Sequence, residues 1–389
     1  MTRHRCRARE VGIETGLLSP GPLNAITDVA GVRVGHVTLI EGDSVRTGVT
    51  AVLPHDGNLF QEKVIAAVHT LNGYGKAMGF EQVREVGTLE TPLLLCSTLD
   101  VGRVADAVVR WMLEQNPALG RQAGTVSPLV AECFDGYLND ARTPTVQWEQ
   151  VWAAIENAQA GPVAEGNVGA GTGMSGFEFK GGIGTSSRRL DEEHGGFSVG
   201  ALVCLNCGRR QQLLIQGVPV GRALADWPGD PTPDGGSIIM VLATDAPLEA
   251  RQLGRLARRA PLGLARTGAV ASHRSGDFVI AFSTAQRIPT IPVGVQGLAP
   301  RVQGLAPRAQ GPAPLLTHTL TVLAEDCEAL NWLFQAAIEA TEEAIINALC
   351  MAETMLGREG HVRYALPLDR VVELLQMHGR IGARPTSGR

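Results

Sequence analysis

Short apolar segments rich in valine, isoleucine and leucine recur along the chain and constrain its fold more than any other feature. Most are bounded by glycine, proline, aspartate or serine, as β-strands are. Several are apolar on both faces, which requires sheets that are covered on both sides. Examples of predicted strands are residues 31–39, 63–70, 93–97, 197–206, 238–244, 277–284 and 318–323.

Helical patterns lie between these strands. Apolar residues recur at helical spacing over residues 101–114, 147–159, 248–259, 326–355 and 369–377. A chain of 389 residues, 44% of them hydrophobic, can bury a sizeable core. Because helices flank several sheets, the predicted fold class is α+β or α/β in layers.

Composition excludes some partners. Charged residues make up 19% of the chain and the net charge is −5, so neither nucleic acid nor an acidic membrane surface is an expected partner. No run approaches the roughly 18 apolar residues that a membrane-spanning helix needs. Residues 1–16 are basic but lack the apolar segment of a secretory signal, so we expect a cytoplasmic protein.

Cysteines and histidines give no metal signal. The seven cysteines are scattered, mostly in apolar runs, and are predicted to be buried thiols in a reducing compartment. Cys204 and Cys207 form a CxxC pair, but no second ligand pair follows at zinc-site spacing. The nine histidines are spread out, without an HExxH motif or a G-x-S-x-G elbow. We therefore expect neither a metal nor an organic cofactor.

A glycine-rich run at residues 166–176 contains a literal G-x-G-x-x-G at Gly171, Gly173 and Gly176. A dinucleotide site needs a helix directly after this motif. The segment that follows, FEFKGGIGTSSR, is too rich in glycine to form one. The run is therefore interpreted as a tight connection or a backbone-lined wall.

Two segments are predicted to be loops. Residues 209–236 end in ADWPGDPTPDGG, which is dense in proline, aspartate and glycine and must be exposed. Residues 295–308 repeat VQGLAPR twice, and so short a repeat containing proline and glycine forms neither a helix nor a repeat domain. We interpret the duplication as a surface loop without a catalytic role.

The joint between the first loop and the next strand carries the strongest chemical signal. The flexible segment ends at Gly236, a small nucleophile follows at Ser237, and a buried strand begins at once. This arrangement suits self-cleavage, in which the Ser237 hydroxyl attacks the Gly236 carbonyl and water then releases the amine from the resulting ester. The freed α-amine of Ser237, with an intrinsic pKa of about 8, could then act as the base for its own hydroxyl. The alternative is an ordinary loop-to-strand boundary with a turn serine.

Ordered sequence blocks along nearly the whole chain resemble the DmpA family. They are VGTLETPLLLCSTLDVG from Val86, DGYLND from Asp135, GNVGAGTGMSGFEFKGGIGTSSR from Gly166, GGSIIMVLATDAPL from Gly235 and SGDFVIAFST from Ser275. This family comprises self-processing L-aminopeptidase/D-amidase-esterases, β-peptidyl aminopeptidases and nylon-oligomer hydrolases. The VQGLAPR duplication departs from what the family leads us to expect.

The resemblance implies an αββα-type sandwich shared with ornithine acetyltransferase-like proteins. It implies one hydrolase domain, residues 1–389, that matures into chains 1–236 and 237–389. The two chains are expected to stay together and to assemble as a homo-oligomer, typically a tetramer of such pairs. The expected substrates are small peptides, amides or esters.

The resemblance also implies roles for individual residues. Ser237 corresponds to the nucleophile and Gly236 to the new C-terminus, while Asn206 corresponds to an oxyanion-hole donor. Ser275 and Asp277, two apart and on one face of a strand, would contact the Ser237 amine and hydroxyl. Some relatives carry glutamate at the latter position.

Three further residues belong to the expected site. Tyr137 corresponds to a residue that hydrogen-bonds the substrate or the tetrahedral intermediate. Either Glu132 or Asp135 would hold the substrate ammonium, and the sequence does not distinguish them.

Other functions remain open at this point. An acyltransferase of the ornithine acetyltransferase type would use threonine where this chain has Ser237, and a nylon-oligomer-type endo-amidase would cut inside a chain. A non-processing scaffold would retain the fold without catalysis. The sequence does not indicate whether a substrate begins with an L-, D- or β-amino residue.

Overall fold

Two large β-sheets, two small two-stranded sheets and flanking helices make up the part of the chain that the computed structural model describes, residues 5–121, 123–231, 236–290 and 318–382. The strands are β1 (Arg33–Glu41), β2 (Val45–Leu53), β3 (Glu62–Gly73), β4 (Ala77–Met78), β5 (Thr88–Leu89), β6 (Leu93–Ser97), β7 (Leu129–Cys133), β8 (Ser175–Gly176), β9 (Phe179–Lys180), β10 (Gly182–Arg189), β11 (Ser198–Asn206), β12 (Gly236–Thr244), β13 (Ser275–Pro289), β14 (Met355–Leu356) and β15 (Val362–Arg363). The α-helices are α1 (Phe80–Val86), α2 (Val101–Gln115), α3 (Trp148–Glu156), α4 (Val220–Ala223), α5 (Ala250–Ala257), α6 (Ala260–Arg266), α7 (Ala329–Met351) and α8 (Leu368–Met377).

Both large sheets are mixed. The five-stranded sheet has the order β1-β2-β6-β7-β4, and the six-stranded sheet has the order β10-β11-β12-β13-β3-β5. The pairs β6–β7 and β12–β13 are parallel, and the other pairs in these two sheets are antiparallel. Parallel neighbours end at the same edge of a sheet, so the last residues of β6 and β7 lie side by side.

Three apolar cores separate four layers. The two sheets share one core, to which β2 and β6 contribute Val52 and Leu95 and β12 and β13 contribute Ile239 and Ile280. A second core joins the six-stranded sheet to α5, α6, α7 and α8, and a third joins the five-stranded sheet to α2 and α3. The order of layers is helix, sheet, sheet, helix, which confirms the predicted αββα sandwich.

Strand β12 shows why these segments are apolar throughout. Ile239 and Val241 pack between the sheets, whereas Ile238 and Met240 pack against the helical layer. Alternate residues of a strand point to opposite faces, so a strand inside a four-layer sandwich meets an apolar core on both sides. The prediction of sheets covered on both faces is confirmed.

Helix α7 is the longest described helix and is buried along most of its length. Its carboxylates are paired inside the fold: the guanidinium of Arg188, fully buried, lies 3.2 Å from Glu339 and 2.7 Å from Glu343. Buried charges require such partners. Among the described residues, none of the helices combines the length and hydropathy that crossing a bilayer requires.

Some sequence predictions need correction. Residues 318–323 do not form a strand, because the backbone of Thr321 bonds to the side-chain amide of Gln286 instead of to a neighbouring strand.

The single helix predicted over 248–259 ends at Ala257, and α6 starts separately with a proline in its first turn. The predicted 209–236 loop packs Leu213 and Ile215 into the core, and among its described residues the exposed stretch is 225–231, which half-buried Trp227 interrupts. The duplicated segment, residues 295–308, lies outside the described residues.

Candidate active site

Neighbouring strands place Asn206 beside Ser237. The two residues face each other in the antiparallel pairing of β11 with β12. The Asn206 side-chain nitrogen donates to the Phe134 carbonyl at 2.9 Å and lies 3.5 Å from the Ser237 hydroxyl oxygen. Its side-chain oxygen accepts a hydrogen bond from the Ser175 backbone N–H at 2.8 Å. Because Ser175 occupies the carbonyl end of the amide, the N–H end faces Ser237.

Ser237 opens onto a cleft of about 280 Å³, although only 4% of the residue is exposed. The cleft is lined by Tyr74, Gly75, Lys76, Thr98, Glu132, Phe134, Gly236, Ser237, Arg274 and Gly276. It combines three hydroxyls, a carboxylate, two aromatic rings and two cationic side chains. Its volume is at the small end of the range for ligand sites, which suits a small substrate.

The two acidic candidates for amine binding have different surroundings. Glu132, the second-to-last residue of β7, lines the cleft and accepts hydrogen bonds from the Lys76 backbone N–H at 2.8 Å and from the Thr98 hydroxyl. Asp135 is buried outside the cleft lining and accepts bonds from three side chains. These donors are Thr47 at 2.6 Å, Ser97 at 2.7 Å and Asn139 at 3.1 Å. Burial raises the pKa of Asp135 to about 6.

Ser275 and Asp277 lie together at the start of β13, where the Ser275 hydroxyl donates to Asp277 at 2.6 Å. In the register of the parallel pair, Gly276 faces Ser237. The side chains of Ser275 and Asp277 therefore lie on the opposite face of the sheet from the Ser237 hydroxyl. They line a separate small cavity beside Cys207, and the lining of the cleft includes Gly276 but neither of them.

Asp277 is nevertheless close to the start of β12. The Ile238 backbone N–H, one residue after Ser237, hydrogen-bonds to its carboxylate. Burial raises the pKa of Asp277 to about 6. The bonds from Ser275 and Ile238 stabilise the ionised carboxylate and lower this pKa, but burial has the larger effect. The second carboxylate oxygen, Oδ2, is buried and accepts no hydrogen bond from the described residues. A buried acceptor without a donor is costly, and such groups cluster at functional sites.

Tyr137 lies outside the cleft lining and contacts the described part of the segment that precedes β12, here called the linker (residues 225–231). Its hydroxyl donates to the Asp230 carboxylate at 2.7 Å. Its ring stacks on His361 with centroids 4.6 Å apart, and the Arg363 guanidinium lies 3.6 Å from the ring centre. Burial and the bond to Asp230 raise the pKa of Tyr137 to about 12, so its hydroxyl stays a donor. This hydroxyl is thus engaged by the linker.

Sequence reasoning missed several residues around Ser237. Cys133 lies behind it, where its thiol donates to the Cys204 carbonyl at 3.4 Å and contacts the Ser237 hydroxyl. Burial raises the pKa of Cys133 well above its usual value, so the thiol stays protonated and is a poor nucleophile. Thr98 and Phe134 directly follow β6 and β7, and they lie together because these strands pair in parallel, which only the structure shows.

The glycine-rich run lies against strand β10 as a tight connection. A side chain at Gly171 would meet the Ile183 backbone nitrogen at 2.4 Å, and one at Gly173 would meet the Arg46 carbonyl at 2.2 Å. Glycine is needed there because two backbones approach closely. Elsewhere, Asp191, Glu193 and His194 have ligand atoms within 4.8 Å of one another, but they lie outside the cleft lining.

Comparison with known proteins identifies the family. The profile of peptidase family S58 matches residues 24–363. The beta-peptidyl aminopeptidase BapA of Sphingosinicella xenopeptidilytica is 39% identical over 391 residues, covering 95% of this chain and 91% of that protein. A Burkholderia sp. beta-aminopeptidase structure is 42% identical with a TM-score of 0.85, covering 98% of this chain and 100% of that one. The L-aminopeptidase D-Ala-esterase/amidase of Ochrobactrum anthropi, a variant of the Ntn-hydrolase fold, is 38% identical with a TM-score of 0.81, covering 97% and 99%. The chain therefore belongs to peptidase family S58, the DmpA family that its sequence resembles, and is a hydrolase.

Proposed function

We propose that this protein is an aminopeptidase or amidase that cuts itself between Gly236 and Ser237. The new N-terminal serine then hydrolyses small peptides, amides or esters through an acyl-Ser237 intermediate. The observation that carries this proposal is the position of the Ser237 hydroxyl, which lies beside the Asn206 amide nitrogen and opens onto a cleft that also contains Glu132.

Self-cleavage would begin with attack of the Ser237 oxygen on the Gly236 carbonyl carbon. The Asn206 amide N–H, which already faces this region, would donate to the oxyanion that forms. Breaking the C–N bond moves the acyl group to the hydroxyl oxygen and leaves a free amine on Ser237. Water then hydrolyses the ester and leaves a carboxylate on Gly236. The backbone at Gly236 is tightly packed, since an added Cβ would lie 3.1 Å from the Cys207 Cα.

Cleavage would also give the buried Asp277 carboxylate a partner. A backbone nitrogen lies in the plane of the sheet, so it can be reached from either face. Asp277 already bonds to the N–H of Ile238, and its Oδ2 lacks a donor. We propose that the new Ser237 amine supplies this donor and that Ser275 holds the carboxylate in place. The amine, with an intrinsic pKa of about 8, would accept the hydroxyl proton during each acylation.

Substrate binding would use the charged side chains of the cleft. We assign the ammonium of the substrate to Glu132, because Asp135 is enclosed by its own donors and lies outside the cleft lining. Lys76 and Arg274 line the same cleft and favour a leaving group that carries negative charge. Tyr137 would become available to the substrate once cleavage releases the linker. In the hydrolytic cycle, the leaving amine takes a proton and water then attacks the acyl-Ser237 ester.

The experiment that tests this function follows the fate of the purified chain. Wild-type protein should separate into two bands, and N-terminal sequencing of the smaller one should give Ser-Ile-Ile-Met. Ser237→Ala should remain a single band without activity, whereas Ser272→Ala, a nearby exposed serine, should split normally. Splitting of the Ser237→Ala chain at Gly236 would refute the proposal.

Assembly as a tetramer of cleaved pairs belongs to the same proposal. Light scattering after complete processing should give four times the mass of one chain. A monomeric, fully active enzyme would separate the catalytic proposal from the assembly proposal.

Alternative reactions make different products. An acyltransferase would pass the acyl group to added amines in preference to water, so product ratios with and without an amine acceptor distinguish the two. An endo-amidase would accept substrates without a free amine, which the buried carboxylate of Glu132 disfavours. A non-processing scaffold would leave the chain intact after long incubation. A panel of nitroanilides beginning with L-, D- and β-amino residues would define the preferred substrate.

A further inference from the structure

Arg363, on β15, is a fully buried arginine that the chemistry described above does not use. Its Nε donates to the Ser175 hydroxyl at 3.0 Å, and one terminal nitrogen donates to the Asp230 carbonyl at 2.6 Å. Its guanidinium also lies over the ring of Tyr137. Burial lowers the pKa of Arg363 from its ordinary value, and these contacts compensate part of the cost of burying a cation.

On one side, Arg363 is linked through Ser175 to Asn206, the proposed oxyanion donor. The hydroxyl of Ser175 accepts from Arg363, and the backbone N–H of the same residue donates to the Asn206 side-chain oxygen at 2.8 Å. That second bond directs the N–H end of the amide toward Ser237. Movement of Ser175 would therefore move the group that faces the nucleophile.

The hairpin that carries Ser175 needs support from its surroundings. Phe177 and Glu178, the turn between β8 and β9, have φ values of 51° and 64°. Residues other than glycine adopt this left-handed conformation only with backbone strain, and they do so where neighbouring groups fix them. The Phe177 N–H bonds to the Cys207 carbonyl at one end of the hairpin, and Arg363 holds Ser175 at the other.

On its other side, Arg363 holds the linker. It binds the backbone carbonyl of Asp230, and Tyr137 binds the side chain of the same residue. Asp230 lies six positions before Gly236 in the sequence. Arg363 thus touches both the segment that leads to the scissile bond and the residue that orients Asn206.

We propose that Arg363 is a positioning residue for self-cleavage and for turnover. It acts through Ser175 on the Asn206 amide, and in the uncleaved chain it also anchors the linker at Asp230. This inference rests on the proposed function, since it assigns Arg363 to the reaction of Ser237. After cleavage the contact with Ser175 remains, so its effect on Asn206 persists in the mature enzyme.

The test measures the first-order rate of self-cleavage and the steady-state kinetics of the fully processed enzyme. Removing an oxyanion donor costs about 10²–10³ in rate, so Arg363→Met, which leaves Asn206 present but less ordered, is expected to slow both reactions about 10- to 100-fold. In turnover the loss should fall on kcat with KM unchanged, because the oxyanion exists only in the transition state. Asp230→Ala removes the side-chain bond to Tyr137 but keeps the carbonyl that Arg363 binds, so it should slow self-cleavage less than Arg363→Met does and leave kcat of the processed enzyme unchanged.

Two milder variants keep the test valid if Arg363→Met does not fold. Arg363→Lys keeps the charge, and Ser175→Ala removes only the hydroxyl acceptor; both are expected to lower kcat. Arg46→Met is the matched control, because Arg46 is also buried and bonded to backbone carbonyls, those of Leu356, Val45 and Gly42. It should lower the melting temperature without changing kcat.

The outcomes separate this inference from the function on which it rests. If Arg363→Lys and Ser175→Ala process and turn over at the wild-type rate, Arg363 has only a structural role and the inference is wrong. The same holds if Arg46→Met lowers kcat as much as the Arg363 variants do. If Ser237→Ala still splits, the proposed function itself fails, whatever the Arg363 variants show.

Discussion

Replacing Asp277 by asparagine in the uncleaved Ser237→Ala chain tests the electrostatics of the site directly. Burial raises the pKa of Asp277 from 3.8 to about 6. A rise of about two pH units corresponds to about 3 kcal/mol, at about 1.36 kcal/mol per unit. The folded state binds the proton more tightly than the unfolded state, so ionisation of Asp277 opposes folding. This opposition is absent well below pH 3.8, grows as the pH rises to about 6 and is constant above that value.

Asparagine does not ionise and therefore removes this term. The term is worth about 3 kcal/mol at pH 8 but only about 1 kcal/mol at pH 4.5, where the unfolded chain is still partly protonated. The new amide nitrogen would occupy the position of Oδ2, which has no partner, at a cost of about 1–3 kcal/mol. That cost is the same at both pH values. The effect of Asp277→Asn on the free energy of unfolding should therefore be more favourable at pH 8 by about 2 kcal/mol.

Urea unfolding followed by tryptophan fluorescence, at one fixed protein concentration, measures this difference. Asp135→Asn is the matched control, because burial also raises the pKa of Asp135 to about 6, but three side chains donate to its carboxylate. The effect of Asp135→Asn on the free energy of unfolding should depend on pH in the same way. Because it disturbs bonds from three donors, this variant should be less stable than Asp277→Asn at both pH values. If Asp277→Asn changes the free energy of unfolding equally at pH 4.5 and pH 8, the reasoning is refuted. The pKa of Asp277 would then not be raised in the folded chain, and its carboxyl group would not be protonated there at pH 4.5.

The remaining predictions concern turnover by the processed enzyme. Asn206→Asp keeps the acceptor for Ser175 but loses the N–H donor, so kcat on a nitroanilide should fall about 10²–10³-fold; a wild-type kcat would contradict the oxyanion role. Glu132→Gln should raise KM about 10- to 100-fold for substrates with a free amine, as loss of a charge-assisted bond implies, and should not affect N-acetylated ones. Arg274→Gln should reduce the preference for dipeptide acids over their C-terminal amides by about two- to fivefold, because exposed ion pairs are weak. If Arg274→Gln leaves this preference unchanged, Arg274 does not contact the C-terminal carboxylate of the substrate.

Local pattern was sufficient for much of the fold. Strand β6 was predicted with its observed bounds, and the segment after Ser237 was recognised as a buried strand. Such assignments succeed because alternation and apolar character are properties of neighbouring residues. Residues 318–323 alternate equally well but bond to a glutamine side chain, since strand formation also requires a free partner edge.

For this protein, the sequence alone indicated the layered fold class, the loop-to-strand joint at Gly236 and Ser237, and the family, because these depend on order along the chain. Tertiary structure decided which polar groups meet. Glu132 and Asp135 are three residues apart, yet the first lines the cleft while the second is enclosed by Thr47, Ser97 and Asn139. The pairing of β12 with β13 likewise sets Asp277 on the opposite face of the sheet from the Ser237 side chain. The surroundings of a carboxylate depend on donors from segments distant in sequence, and only the folded chain brings those donors together.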